Sequence, residues 1–161
     1  MFTFKLLNSK ERKRVLEQLE AQFGLDPSFL KKYAFLLQET KQRLYLANAN
    51  IVEEDLESLR PDALGLYFGT LIPNNEIRLT IEGGQLLGPF ATKNVLELDD
   101  EQFRHWIRGN ALDLATEQRG FLLLKHNNDY CGCGKPVLDE KHGTVSLHNY
   151  IPKTRYVRSD D

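Results

Sequence analysis

The C-terminal end of the sequence mixes positively charged and aromatic side chains in a pattern that can bind nucleic acid. Within residues 148–158, three cations are interleaved with two tyrosines. Lysine and arginine neutralise phosphate groups, and flat aromatic rings stack on unpaired bases. An alternative that the sequence leaves open is a terminal edge strand whose charges prevent self-association. The five side chains are Tyr150, Lys153, Arg155, Tyr156 and Arg158.

Gly83, Gly84 and Gly88 mark a second segment that could contact a phosphate. A P-loop would continue with lysine and serine or threonine after its last glycine, but proline and phenylalanine follow here, so nucleotide hydrolysis is not expected. The glycines instead predict a tight turn with positive φ angles, between a strand that ends near Ile81 and a returning strand. Such a turn would also let the backbone approach a sugar-phosphate chain and donate N–H groups to it.

Cys131 and Cys133, with three histidines in the same part of the chain, raise the question of a metal site. Structural zinc sites space paired cysteines by two to four residues, whereas a single residue separates these two. Strand alternation predicts that both thiols lie on one face, which suits packing equally well. We therefore expect no metal and no cofactor. Because neither a serine elbow nor an interpretable cysteine–histidine pair is present, we also expect no enzymatic activity.

The overall charge neither requires nor excludes nucleic acid. The 161 residues carry a formal net charge of −2, and 27% of them are charged. Only the charge density on a contact surface determines counterion release, and the cations cluster at residues 10–14 and 153–158. The first cluster fits a solvated helix face, with a protein or RNA partner as the alternative. Without a long apolar run or a signal-type N-terminus, we expect a cytoplasmic protein, or a nucleolar one in a nucleated cell.

The N-terminal half shows alternating helix and strand signals. Asn8 and Gly24 are typical caps for the two ends of an amphipathic helix. Asp26, followed by proline, is typical of the start of a second, short helix. Hydrophobic alternation around a polar turn predicts a β-hairpin over residues 35–46, and a short helix is predicted at residues 53–59.

A domain boundary is predicted near the middle of the chain. Residues 64–72 have the pattern of a strand, and residues 73–75 then combine a proline with two turn-forming asparagines. Short alternating segments separated by turn residues follow, which indicates mainly β structure. The sequence therefore predicts an α+β protein with a small α/β domain at residues 1–72 and a β-rich domain at residues 76–161.

Four short motifs carry a family resemblance. They are Gly65-Leu66-Tyr67-Phe68-Gly69, Trp106-Ile107-Arg108-Gly109, Gly132-Cys133-Gly134-Lys135 and Asn149-Tyr150-Ile151-Pro152-Lys153-Thr154-Arg155. With these motifs, residues 64–158 resemble the PUA domain, a small RNA-binding module, that closes many RNA cytosine-5 methyltransferases. From about residue 33 onward, the order of elements is also similar to that of small ribosome-biogenesis proteins with an α/β N-terminal domain and a C-terminal PUA domain.

The resemblance implies a PUA-like mixed β-barrel and a non-catalytic protein that binds structured RNA, either rRNA or tRNA. The implied processes are rRNA processing, tRNA modification and ribosome biogenesis, with a protein partner on the N-terminal domain. Two alternatives stay open: a protein-interaction subunit without RNA affinity, and an RNA-modifying enzyme or its accessory subunit. One wall of the expected RNA site comprises Gly84, Gln85 and Lys93. The other comprises Asn149, Tyr150, Lys153, Arg155, Tyr156 and Arg158.

Overall fold

A computed structural model describes residues 4–51 and 65–158 of the chain. The short helix predicted at residues 53–59 lies outside the described residues. Two five-stranded sheets and three α-helices form the described part, which confirms the predicted α+β class.

The first sheet is a simple antiparallel meander in which strand order follows chain order. The predicted hairpin is confirmed as β2 and β3, in which Phe35 lies opposite Leu46. Residues 73–75 form the turn between β4 and β5, and Ile72 pairs with Glu76 across it. A domain boundary at this turn would separate two paired strands, and that boundary stays a prediction. The strands are β1 (Phe4–Leu6), β2 (Tyr33–Gln38), β3 (Arg43–Asn48), β4 (Leu66–Ile72) and β5 (Glu76–Leu79).

The three helices are α1 (Ser9–Phe23), α2 (Ile81–Leu87) and α3 (Asp100–Ile107). The caps predicted for α1 are confirmed: the Asn8 side chain accepts a hydrogen bond from the Glu11 N–H, and Gly24 takes a left-handed conformation with φ 62°. None of the helices among the described residues combines the length and apolar character that a membrane span requires.

The segment predicted as a glycine turn is instead the helix α2, so the turn prediction was wrong. Thr80 caps the helix by accepting a hydrogen bond from the Gly83 N–H at 2.9 Å. None of the three glycines has a positive φ angle. A Cβ on Gly83 would lie 2.1 Å from the Phe68 carbonyl oxygen, and one on Gly88 would lie 2.4 Å from the Tyr130 ring. These glycines therefore serve close packing rather than an unusual backbone conformation.

The second sheet has the order β6-β8-β9-β10-β7. Strand β6 runs parallel to β8, and the other pairs are antiparallel. Helix α3 covers this sheet with Trp106, which is fully buried. The strands are β6 (Val95–Glu97), β7 (Leu112–Leu114), β8 (Leu122–His126), β9 (Asp129–Asp139) and β10 (Thr144–Asn149).

A β-bulge in β9 places the two thiols in different cores, so the prediction that they share a face was wrong. Leu123 pairs with Cys133 and Lys125 with Tyr130, which leaves one residue on β8 opposite two on β9. Gly132 supplies the left-handed conformation of the bulge, with φ 85°. The extra residue interrupts the alternation, so Cys131 packs beside Trp106 while Cys133 joins the larger core.

That larger core extends across both sheets. Leu19 and Phe23 of α1 belong to the same buried cluster as Phe35 and Phe68 of the first sheet. The cluster continues to Leu123 of the second sheet. Because both sheets contribute to this core, the burial of its apolar surface stabilises the association of the two halves of the chain more strongly than a linker would.

Candidate nucleic-acid interface

A groove of about 230 Å³ lies where the two sheets meet. The first sheet contributes side chains from β3, β4 and β5 to its lining. The start of α2, the bulge of β9 and the segment after β10 complete it. Its charged and aromatic side chains are Arg43, Tyr67, Arg78, Glu82, Tyr150 and Arg155.

Arg43 and Tyr67 form one side of the groove on neighbouring strands. The guanidinium carbon of Arg43 lies 5.2 Å from the centre of the Tyr67 ring, within cation–π range. The Tyr67 hydroxyl and the Thr70 hydroxyl form a hydrogen bond of 2.6 Å. The ring also stacks on Tyr45 at a centroid distance of 5.2 Å. These contacts hold the ring in a fixed orientation.

Arg78 and Tyr150 form the facing pair. The guanidinium carbon of Arg78 lies 4.8 Å from the centre of the Tyr150 ring. Tyr150 contacts Phe121 edge-on, with ring centres 5.2 Å apart, and keeps 38% of its surface exposed. A second flat surface with a cation on it is therefore open to solvent.

Arg155 and Glu82 close one end of the groove. Nη1 of Arg155 donates a hydrogen bond to Oε1 of Glu82 at 2.5 Å. Partial burial raises the pKa of Glu82, but the hydrogen bonds from Arg155 and from the backbone outweigh it and hold the pKa below its ordinary value. Glu82 is therefore ionised at neutral pH. Three guanidinium groups against one carboxylate leave the groove with excess positive charge.

Asn149 and Tyr156, both predicted to contact RNA, have anchoring contacts within the protein. The Asn149 amide donates to the carbonyl oxygens of Trp106 at 2.7 Å and Asn110 at 3.1 Å. Its side-chain oxygen accepts from the backbone N–H of Ile151 at 2.9 Å. The Tyr156 ring is half-buried against Gly109, where a Cβ would lie 2.3 Å from the ring. Both residues fix the C-terminal segment that carries Tyr150 and Arg155.

The other predicted wall of the RNA site, formed by Gly84, Gln85 and Lys93, does not lie at the groove. Gly84 is buried, and a Cβ there would lie 2.8 Å from a Leu123 methyl group. Gln85 is exposed and lines a separate, shallower depression of about 270 Å³, which Arg155 also borders. Lys93 is exposed near the C-terminal end of α1, where its backbone N–H donates to the Phe23 carbonyl.

The two remaining predicted residues are exposed on the C-terminal segment. Lys153 begins the 3₁₀ turn that ends at Arg155. Arg158 follows Val157, whose N–H donates to the Ile107 carbonyl. The structure thus brings Tyr150 and Arg155 into the groove and leaves Lys153 and Arg158 on the surface beside it.

Sequence reasoning missed Arg43, Tyr67 and Arg78 as site residues. Each lies within a strand and outside any cluster of cations and aromatic residues, so their positions are typical of ordinary sheet surface. The available signal was Arg78 between two buried neighbours, Ile77 and Leu79. Because successive side chains of a strand point to opposite faces, the Arg78 side chain must lie on the face of the sheet that is turned away from the core.

The cysteines and histidines form no metal-binding cluster in residues 4–51 and 65–158. Burial raises the pKa of both Cys131 and Cys133 to about 12, so both thiols stay protonated. His126 contacts Asp100, and His142 contacts Asp139, each at 2.8 Å. The expectation that the chain carries no metal stays a prediction.

Residues 93–155 match a family model described as the Methyltransferase RsmF PUA domain. The match confirms the resemblance to a PUA domain related to the C-terminal domain of cytosine-5 RNA methyltransferases, and the second sheet is a curled half-barrel that matches such a domain. No curated protein matches the chain significantly. The matched residues include Tyr150 and Arg155, whereas Arg43, Tyr67 and Arg78 lie before them.

Proposed function

We propose that this chain is a non-catalytic RNA-binding protein, because residues 93–155 form a PUA domain, which indicates RNA binding or an RNA-modification context. Its targets are structured rRNA or tRNA, in processing, modification or ribosome biogenesis. It acts in the cytoplasm, or in the nucleolus of a nucleated cell, with a protein partner on the N-terminal half. The observation that carries the proposal is the positively charged groove with two tyrosine rings beside the exposed cations of the C-terminal segment.

The chemistry of this surface suits RNA because it offers two kinds of contact at once. Exposed Lys153 and Arg158 can neutralise phosphates along a backbone. The tyrosine rings of the groove can stack on bases, which are accessible in the loops and ends of structured RNA. A chain with a net charge of −2 needs such a local positive surface for affinity.

A second candidate function is a protein-interaction subunit without RNA affinity. It is favoured by two exposed apolar side chains near the end of β9, where Leu138 has 56% and Val137 has 38% of its surface exposed. Exposed apolar residues of this kind are common on protein-binding surfaces, although single ones also occur on ordinary surfaces.

The test is salt-dependent binding of a structured RNA to wild-type protein and to the variant Lys153→Ala/Arg155→Ala/Arg158→Ala. We expect weaker binding, and a salt slope lower by about 0.7–0.9 for each phosphate that the variant no longer neutralises. The matched control is Lys141→Ala/Arg104→Ala/Arg119→Ala, which removes the same charges from exposed positions outside the groove and the C-terminal segment. Equal affinity of all three proteins at low salt would remove this surface from the RNA site and favour the protein-interaction function.

A further inference from the structure

The groove is a composite that the PUA-matched residues alone do not form. The first sheet supplies Arg43 from β3, Tyr67 from β4 and Arg78 from β5. All three precede residue 93, where the family match begins. Whatever the PUA domain binds on its own, the groove adds a feature that depends on both sheets.

The size of the groove limits what can enter it. Its volume of about 230 Å³ is below the roughly 300–1,000 Å³ of pockets for drug-sized ligands. A base-paired helix cannot enter such a space, because it presents its phosphates and 2′-hydroxyls over a broad surface. One flat ring with one attached phosphate is the nucleic-acid unit that matches this scale.

The lining residues can contact both the base and the phosphate of such a nucleotide. The Arg43 guanidinium lies over the Tyr67 ring at 5.2 Å and the Arg78 guanidinium lies over the Tyr150 ring at 4.8 Å, so each tyrosine supports an arginine plane. An arginine plane on an aromatic ring can contact a base by stacking and a phosphate by hydrogen bonding. Since Thr70 and Tyr45 hold Tyr67, and Phe121 contacts Tyr150, the rings are ordered before a ligand arrives.

The floor of the groove adds no competing charge. Gly132 contributes backbone without a side chain, and the Cys133 thiol is neutral because burial raises its pKa to about 12. Glu82 is the one carboxylate among the lining residues, and Arg155 pairs with it. Because Glu82 pairs with Arg155, Arg43 and Arg78 can bind an anion.

We propose that this groove binds a single unpaired nucleotide of the RNA, with its base and its phosphate on the two arginine–tyrosine pairs, Arg43–Tyr67 and Arg78–Tyr150. The proposal rests on the proposed RNA-binding function and specifies its ligand. It also makes the first sheet part of the RNA site.

The experiment compares two probes, a short RNA stem-loop with a blunt end and the same stem-loop with a single-stranded 3′ extension of about four nucleotides. Fluorescence anisotropy gives the affinity of each probe for wild-type protein, Arg43→Gln, Tyr67→Leu and Arg78→Gln. Arg104→Gln, on α3 and outside the groove, is the matched control for removal of one charge. Far-ultraviolet circular dichroism and thermal melting verify that each variant is folded.

We expect wild-type protein to prefer the extended probe, and Arg43→Gln and Arg78→Gln each to reduce binding of that probe by roughly fivefold or more. For the blunt probe, the same variants should change the affinity no more than the control variant Arg104→Gln does. Tyr67→Leu removes the ring that supports Arg43 without changing the charge, and it should weaken the preference for the extended probe.

Three other results would overturn the inference, and they separate it from the proposed function. Equal wild-type affinity for both probes would mean that no unpaired nucleotide is recognised, while RNA binding itself stands. An equally large decrease in the binding of both probes by Arg43→Gln would mean that the groove contacts the stem. Binding of neither probe by wild-type protein would remove the RNA-binding function and the inference together.

Discussion

Glu82 is the residue that limits the positive charge of the groove. It holds Arg155 in an ion pair in which both side chains are partly exposed, at 37% and 49% of their surfaces. A pair with this exposure contributes less than about 1 kcal/mol to stability. Its larger effect is on binding, because an incoming phosphate must compete with the carboxylate for Arg155.

We therefore expect Glu82→Gln to bind structured RNA several-fold more tightly than wild type at low salt. The salt slope should become steeper by up to about 0.9, since Arg155 is freed for one more phosphate contact. The melting temperature should change little. Anisotropy titrations over a series of salt concentrations measure both binding quantities. Weaker RNA binding by Glu82→Gln would mean that Glu82 itself contacts the RNA or orients Arg155 for it.

The sequence predicted only part of this site at the level of single residues. Tyr150 and Arg155 were identified because cations and aromatic residues alternate over a short stretch. Arg43 and Arg78 are 35 positions apart, so only the pairing of β3, β4 and β5, in which both lie opposite Thr70, reveals that they line one groove. The anchoring contacts of Asn149 depend on a distant helix end, which no local pattern encodes.

Helix α2 is the element that brings the groove together, and its glycines set how closely it packs. Thr80 caps its start and also donates a hydrogen bond to the Tyr67 carbonyl at 2.7 Å. Gly83 lies directly against the Phe68 backbone. A helix held at this distance fixes Glu82 relative to the strand that carries Tyr67.

Replacing Gly83 by alanine should therefore destabilise the protein, although alanine is the better helix former by about 1 kcal/mol. The new methyl group would overlap the Phe68 carbonyl, and such overpacking costs about 1–3 kcal/mol or more. Gln85→Ala, at an exposed position of the same helix, is the matched control and should be nearly neutral. Denaturant unfolding measures both, and a Gly83→Ala variant as stable as wild type would contradict this packing.

Elements with local signals were predicted well, and those set by tertiary contacts were not. The α1 caps and the β2–β3 hairpin follow from short-range chemistry at Asn8, Gly24 and a polar turn. Helix α2 was predicted wrongly because three glycines within a short segment favour a turn unless a partner surface requires close approach. The bulge at Gly132 was missed because register depends on the facing strand.

The two halves of the molecule are joined by more than the hairpin between β4 and β5. The Phe23 carbonyl at the end of α1 accepts hydrogen bonds from the N–H groups of Thr92 and Lys93 at 2.8 and 3.2 Å. The Asn94 side chain also donates to the Gln22 carbonyl. Together with the shared core, these contacts make independent folding of the halves costly.

We expect the chain to unfold in a single cooperative transition. The one tryptophan of the sequence, Trp106, is buried beneath the second sheet, with its indole N–H donating to the Cys131 carbonyl at 2.9 Å. Its fluorescence therefore reports on the C-terminal half, whereas far-ultraviolet circular dichroism reports on the whole chain. Coincident denaturation curves are expected from the two probes.

Two separated transitions would contradict this expectation and support the predicted boundary at residues 73–75. A fragment of residues 64–161 provides an independent measurement. Its folding to a stable state would show that the C-terminal half does not need the first sheet, as the sequence suggested.

The contact between Gln22 and β5 has a consequence for solubility. The Gln22 amide donates to the Ile77 carbonyl at 3.0 Å and accepts from the Ile77 N–H at 2.8 Å, which occupies both backbone groups of Ile77 on the edge strand β5. Open strand edges recruit strands from other molecules and start aggregation. A single uncharged side chain on α1 thus blocks intermolecular sheet growth at this edge, and it does so without adding a charge near the arginines that would meet the RNA.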